Sequence, residues 1–116
     1  VAVRILILED DPLIALDLAA IVEAQGHEVV GSFPSVAAAA EHLDEPVDFA
    51  LLDVDVADGK SFGLATALRR RDIPFAFVSG SLRSEIPAYL ANVLLIPKPY
   101  REAAIVQSLP RERHAA

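Results

Sequence analysis

Six polar side chains stand at the ends of apolar runs. Glu9 and Asp10 follow Ile5-Leu6-Ile7-Leu8, Asp53 and then Asp55 follow Phe49-Ala50-Leu51-Leu52, Ser79 follows Phe75-Ala76-Phe77-Val78, and Lys98 follows Leu94-Leu95-Ile96-Pro97. A short, continuously apolar run bounded by turn residues reads as a strand buried on both faces; Phe49–Leu52, between Pro46 and Asp58-Gly59, is such a run. Parallel strands of this kind deliver their last side chains to the carboxyl edge of a sheet, where open α/β folds bind ligands. A carboxylate delivered there, as at Asp53, is a helix cap, a metal ligand or a nucleophile. Brought together, Glu9, Asp10, Asp53 and Asp55 would repel one another and partly protonate unless neutralised. A hard divalent cation is the simple solution: Mg²⁺, with Mn²⁺ able to substitute, takes oxygen ligands and keeps several waters. Asp10 and Asp53 are then the direct ligands, Glu9 acts through water, and the backbone carbonyl near Asp55 supplies a further oxygen. A carboxylate, a cation, a lysine and a hydroxyl together suit phosphoryl transfer to an acyl oxygen, a reaction run mainly by positioning and electrostatics. Asp53 is the candidate nucleophile, Lys98 neutralises one phosphoryl oxygen, and Ser79 with backbone N–H groups binds another.

Each residue has an ordinary reading of its own. Glu9-Asp10-Asp11 also reads as a solvated cap cluster, Lys98 as a surface lysine, and Ser79 before Gly80 as a turn residue. The weight lies in their coincidence at the ends of separate strands.

The elements that must position them alternate along the chain. A strand over Val3–Leu8 is followed by a helix from Pro12 to about Gln25, with Asp11 as N-cap and Gly26 past the end. Ile14, Leu18, Ile21 and Val22 share one helical face, while Leu13, Leu16 and Ala20 form a second apolar stripe that one buried face does not need. Glu28–Phe33 reads as the second strand, Ser35 caps a short Ala-rich helix to about Leu43, and the strand ending at Asp53 follows. After the Asp58-Gly59 turn, Ser61–Arg71 reads as a helix with Phe62, Ala65 and Leu68 inward and three arginines at its negative end. Phe75–Val78 is a fourth strand, Ser84–Ala91 a weaker helix, and Val93–Ile96 a fifth strand. A last helix starts near Tyr100 and is interrupted by Pro110; Arg111–Ala116 reads as a frayed tail. This alternation predicts an α/β fold: a doubly wound, five-stranded parallel sheet in the order 2-1-3-4-5, with right-handed crossovers and helices on both faces.

A length of 116 residues suits a single domain over 1–116, and 53% hydrophobic residues suffice to bury a core of Ala, Val, Leu and Ile. A formal charge of −7 argues against nucleic-acid binding by net field. The absence of cysteine excludes disulfides and thiolate metal sites and is compatible with a reducing cytoplasm, the expected location. No apolar run approaches the roughly 20 residues of a membrane span, and no signal peptide is visible.

The sequence resembles the receiver domains of bacterial two-component response regulators over nearly its whole length, from Arg4 to about Leu109. Four motifs carry the resemblance: Ile7-Leu8-Glu9-Asp10-Asp11-Pro12, Leu51-Leu52-Asp53-Val54, Val78-Ser79-Gly80 and Lys98-Pro99-Tyr100. It implies a flavodoxin- or CheY-like fold and transfer of a phosphoryl group to Asp53, with Mg²⁺ bound, from a phospho-histidine on a sensor kinase or histidine phosphotransfer protein. It implies a cis Lys98–Pro99 bond, and donor docking through the first helix, for which Leu13, Leu16 and Ala20 are the candidate surface. Such a domain would be no enzyme beyond its own phosphorylation and slow dephosphorylation. Its output would be protein contact or service as a phosphate relay or sink. The segments Asp58-Gly59-Lys60-Ser61-Phe62 and Ile73-Pro74-Phe75 are similar to a class of stand-alone receivers that carry Phe-Ala-Thr-Gly-Tyr after strand four, where this chain has Phe77-Val78-Ser79-Gly80-Ser81. Receivers usually couple the hydroxyl to an aromatic residue three positions before the lysine, which here is Leu95. The subgroup's substitute aromatic falls at Ser81, and the proline common after the phospho-acceptor loop is missing. Phosphorylation is therefore expected without the usual aromatic route for reshaping the face of helix four and strand five. Asp55 and Ser81 flank the expected path of an attacking water and are candidates for setting how long the acyl phosphate lasts.

Two other readings stay open at this level. Asp53-x-Asp55 after an apolar strand also resembles the nucleophile motif of haloacid-dehalogenase-type phosphatases, although the acidic pair here precedes Asp53 and only Glu102 and Glu112 follow Lys98. A receiver-like binding module whose acid pocket never turns over is the other.

Overall fold

The computed structural model describes residues 2–111; of the tail expected to fray, 112–116 lie outside the described residues. Five parallel strands form the main sheet: β1 (Arg4–Leu8), β2 (Glu28–Phe33), β3 (Phe49–Leu52), β6 (Phe75–Ser79) and β7 (Leu95–Pro97). Between β3 and β6 lie β4 (Asp55–Val56) and β5 (Gly59–Lys60), a separate antiparallel ribbon. The helices are α1 (Pro12–Ala24), α2 (Val36–Ala40), α3 (Phe62–Arg70) and α4 (Glu102–Ser108). The sheet order is β2-β1-β3-β6-β7, the expected order once the ribbon is set aside.

Strand alternation divides the core in two. Leu6, Leu8, Ala50, Leu52 and Phe77 face one side, where Ala39 of α2 and Leu64, Ala65 and Leu68 of α3 cover them. Ile5, Ile7, Leu51, Ala76, Val78 and Ile96 face the other, against Leu18, Ile21 and Val22 of α1 and Ile105 of α4. Because β3 lies between two neighbours and under both layers, all four of its residues are buried, which is why its sequence shows no polar alternation.

Helix α1 begins as its cap residues dictate. The Asp11 carboxylate accepts from the N–H groups of Leu13 at 2.9 Å and Ile14 at 3.4 Å, and Pro12 occupies the first turn. It ends at Gly26, whose φ of 82° few other residues adopt readily. The second stripe of α1 is solvent-facing: Leu13 is 76% and Leu16 69% exposed, and Ala20 is exposed as well.

The helix expected over Ser84–Ala91 does not form. Two 3₁₀ turns, Arg83–Glu85 and Ala88–Leu90, stand in its place. Pro87 is the cause: it offers no N–H and pushes the preceding residue out of the helical region, and Ile86 is extended at φ −90°, ψ 130°. Arginine side chains tie the segment down instead. Arg83 Nη1 donates to the carbonyls of Ala91 at 3.1 Å and Val93 at 2.7 Å, and Arg69 Nη1 to that of Tyr89 at 2.6 Å. Smaller corrections follow the same logic of local competition. The fifth strand runs over Leu95–Pro97 rather than Val93–Ile96. The last helix starts at Glu102, not Tyr100. Helix α2 stops at Ala40, and in α3 Leu64 is buried with Ala65 and Leu68 while Phe62 is only partly covered.

Candidate functional site

The carboxyl ends of β1, β3, β6 and β7 converge. The Asp53 N–H donates to the Leu8 carbonyl at 2.9 Å, which fixes the tip of β3 against that of β1. The Glu9 N–H donates to Phe33 O at 2.9 Å, so β1 is pinned on its other side as well. Glu9 and Asp53 are buried and Asp10 is exposed. One carboxylate oxygen from each of Glu9, Asp10 and Asp53 lies within 4.8 Å of the others. From the end of β7, Lys98 Nζ donates to Glu9 Oε1 at 2.5 Å and to Asp53 Oδ2 at 2.8 Å. The Lys98 N–H donates to Ser79 O at 3.0 Å, and the Lys98–Pro99 peptide bond is cis. Ser79 is buried, and its Oγ accepts from the Ser81 N–H at 3.1 Å. Glu9, Asp10, Asp53 and Lys98, all named from sequence, thus meet at one edge of the sheet, and Ser79 ends the strand paired with that of Lys98, its hydroxyl turned to the Ser81 N–H.

The electrostatics show a shortage of positive charge. Burial pushes the Glu9 carboxyl above its ordinary value; hydrogen bonds from Lys98 and the Asp11 N–H oppose this, and the Asp53 charge adds to it. Burial is also the strongest influence on Lys98 and pulls its pKa down, but hydrogen bonds to Asp53 and Glu9 and their charges outweigh it and leave the ammonium raised. One ammonium therefore faces three carboxylates. An all-oxygen donor set that remains underneutralised suits a hard divalent cation that retains waters, so the residues present fit Mg²⁺.

Four contacts around the site were not visible in the sequence. Ser61 is the N-cap residue of α3 but makes no side-chain cap bond; it is buried, and its hydroxyl donates to the backbone carbonyl of Asp53 at 2.6 Å, bracing the loop after β3. Tyr100 OH donates to Asp17 Oδ2 at 2.5 Å, anchoring the turn after Lys98 to α1; burial and this bond raise the phenol pKa. Asp58 accepts from the N–H groups of Val36 at 2.8 Å and Ala37 at 3.0 Å, so the β4–β5 turn caps α2 from outside. Those bonds lower its pKa. The Asp55 side chain is exposed and turns to Lys60 Nζ at 2.6 Å and Ser81 Oγ at 3.2 Å, and the Lys60 bond lowers its pKa.

Beside the acids, a largely apolar cavity of about 320 Å³ is lined by Glu9, Asp10, Pro12, Ala15, Leu16, Ala19, Ser32 and Pro34. A wider one of about 630 Å³ lies at the amino ends of β6 and β7, among Arg69, Ile73, Phe75 and Leu94, remote from this chemistry. No helix among the described residues is long and apolar enough to cross a membrane.

No family model matches the chain. It is 35% identical over 113 residues to the phyllosphere-induced regulator PhyR of Methylorubrum extorquens, a match covering 90% of this chain and 41% of that protein. The chain thus spans about two fifths of the length of that curated relative. The solution structure of SdrG from Sphingomonas melonis Fr1 superposes with a TM-score of 0.81 at 33% identity and covers 92% of both chains. The response regulator REC domain of Erythrobacter litoralis PhyR superposes at 0.82, covering 92% of this chain and 86% of that one; its 24% identity speaks for the fold.

Proposed function

This chain belongs to the receiver domains of two-component response regulators, and on that premise we propose that Asp53 accepts a phosphoryl group from a phospho-histidine donor. The observation that carries this is the meeting of Lys98 Nζ with both Asp53 Oδ2 and Glu9 Oε1, beside Asp10. In the transfer an Asp53 carboxylate oxygen forms the new P–O bond while the P–N bond to the donor imidazole breaks. The electron pair stays on that nitrogen, which takes up a proton. Charge on the equatorial phosphoryl oxygens is met by Lys98 and by the Ser79 hydroxyl. Asp10 and Asp53, with Glu9 and the Asp55 backbone carbonyl nearby, would hold Mg²⁺, which when bound would supply further positive charge to the phosphoryl oxygens.

A sensor histidine kinase or a histidine phosphotransfer protein is the donor in this reading, docking over Leu13, Leu16 and Ala20 beside the apolar cavity next to Asp10. The domain turns over no other substrate than its own phosphoryl group, acts in the cytoplasm, and signals by protein contact or as a relay or sink. Asp55 and Ser81 flank the water path and set the lifetime of the acyl phosphate.

Acetyl phosphate with Mg²⁺ should add one phosphoryl group to the protein. Asp53→Asn or chelation of Mg²⁺ should abolish labelling. Labelling of the Asp53→Asn protein at the original rate would overturn the proposal.

A further inference from the structure

The pair Asp55 and Ser81 is incomplete without a third residue. Asp55 and Lys60 stand directly opposite each other in the β4–β5 ribbon, a placement that favours opposite charges. Lys60 Nζ holds Asp55 Oδ1 at 2.6 Å, which leaves Oδ2 to accept from Ser81 Oγ at 3.2 Å. The Ser81 N–H in turn donates to Ser79 Oγ at 3.1 Å. A continuous chain of polar contacts, Lys60–Asp55–Ser81–Ser79, therefore runs from the segment after Asp53 to the segment after β6. Val54, between Asp53 and Asp55, is fully buried, so the intervening residue is fixed in the core and only the Asp55 side chain is free to swing. An exposed carboxylate with one 3.2 Å bond to a serine would sample several rotamers; a second, charge-assisted bond selects one.

We propose that Lys60 is a positioning residue for the phosphorylated state: by holding Asp55 against Ser81 it keeps a strap across the solvent side of the site and slows hydrolysis. This rests on Asp53 being the acceptor. In hydrolysis the oxygen of a water forms a bond to phosphorus as the P–O bond to Asp53 breaks. The electron pair returns to the Asp53 carboxylate, inorganic phosphate leaves, and the proton passes to solvent. The water must come in line with the breaking bond, from the side facing away from Asp53, and the proposal sets the strap, which joins the segments after β3 and β6, across that approach. With Lys60 removed, Asp55 and Ser81 part and water gains that approach.

The test is the decay of protein labelled with acetyl phosphate and Mg²⁺ after the free acetyl phosphate is removed. Lys60 is an exposed ribbon residue whose ion pair adds little to folding, so Lys60→Ala should label to the same extent and melt at the same temperature. Its phosphoryl lifetime should shorten by about three-fold, the scale of one exposed charge-assisted contact. Lys60→Arg should restore the lifetime, and in an Asp55→Asn background Lys60→Ala should change nothing. An unchanged or longer lifetime in Lys60→Ala, or the same shortening in the Asp55→Asn background, would overturn the inference while leaving Asp53 as acceptor. Failure of the unaltered protein to label at all would instead remove Asp53 as acceptor, and this inference with it.

Discussion

Lys98 is asked to neutralise more carboxylate than one ammonium can, and Glu9 carries the consequence. Its folded pKa is raised above the 4.5 of a free glutamate, chiefly by burial. The folded state therefore binds that proton more tightly than the unfolded chain does. The resulting contribution to stability is full below about pH 4.5 and disappears as pH rises through the folded value. Without divalent cations, urea midpoints should thus fall as pH rises from about 4.5 through the folded value. The fall should be shallower in Glu9→Gln, and Mg²⁺, binding the folded state alone, should raise the neutral end in the unaltered protein. An identical pH slope in the Glu9→Gln protein would show that the buried carboxyl is not its source.

At the scale of elements, the segment between β6 and β7 is the departure that most changes what the molecule can do. Its composition is helix-compatible apart from Pro87, and side-chain bonds from Arg83 and Arg69 have replaced backbone ones. Pro87→Ala removes the restriction on Ile86, so backbone chemical shifts of Ser84–Ala91 should move toward helical values; unchanged shifts would mean that the arginine bonds, not the proline, set the conformation. The strands of the main sheet were legible because an apolar run between turn residues has few other solutions. The convergence of Glu9, Asp53, Ser79 and Lys98 followed from topology once the strands alternated with helices. The β4–β5 ribbon was not legible: with two residues per strand it has no periodicity, and reads as a turn around Asp58-Gly59. For that reason neither the Asp55–Lys60 pairing nor the Asp58 cap on α2 was readable, since both depend on the ribbon's register. Ser61 read as the first residue of a helix; it stands instead just before α3, and its hydroxyl donates to the backbone oxygen of Asp53, a long-range contact that no local pattern announces.

For the molecule as a whole, the site opens beside an apolar face. Leu13, Leu16, Asp17 and Ala20 share the solvent side of α1, and the cavity lined by Pro12, Ala15 and Leu16 runs from this face to Glu9 and Asp10. On the proposed function, a donor seated there would bring its phospho-histidine to the acids without passing through the core. Leu13→Glu should slow transfer from a phospho-histidine donor by about ten-fold, the cost of a central interface residue, while labelling by acetyl phosphate stays unchanged. Equal loss in both assays would place Leu13 in folding rather than docking.

The turn that aims Lys98 has an effect at the rim of the sheet as well. β7 is one of the two edge strands of the main sheet, and because the Lys98 N–H points inward to Ser79 O, the nitrogen of Pro97, one residue earlier, points outward and carries no hydrogen. A stray extended segment laid along that margin finds no donor at Pro97, which disfavours its addition to the sheet as a further strand.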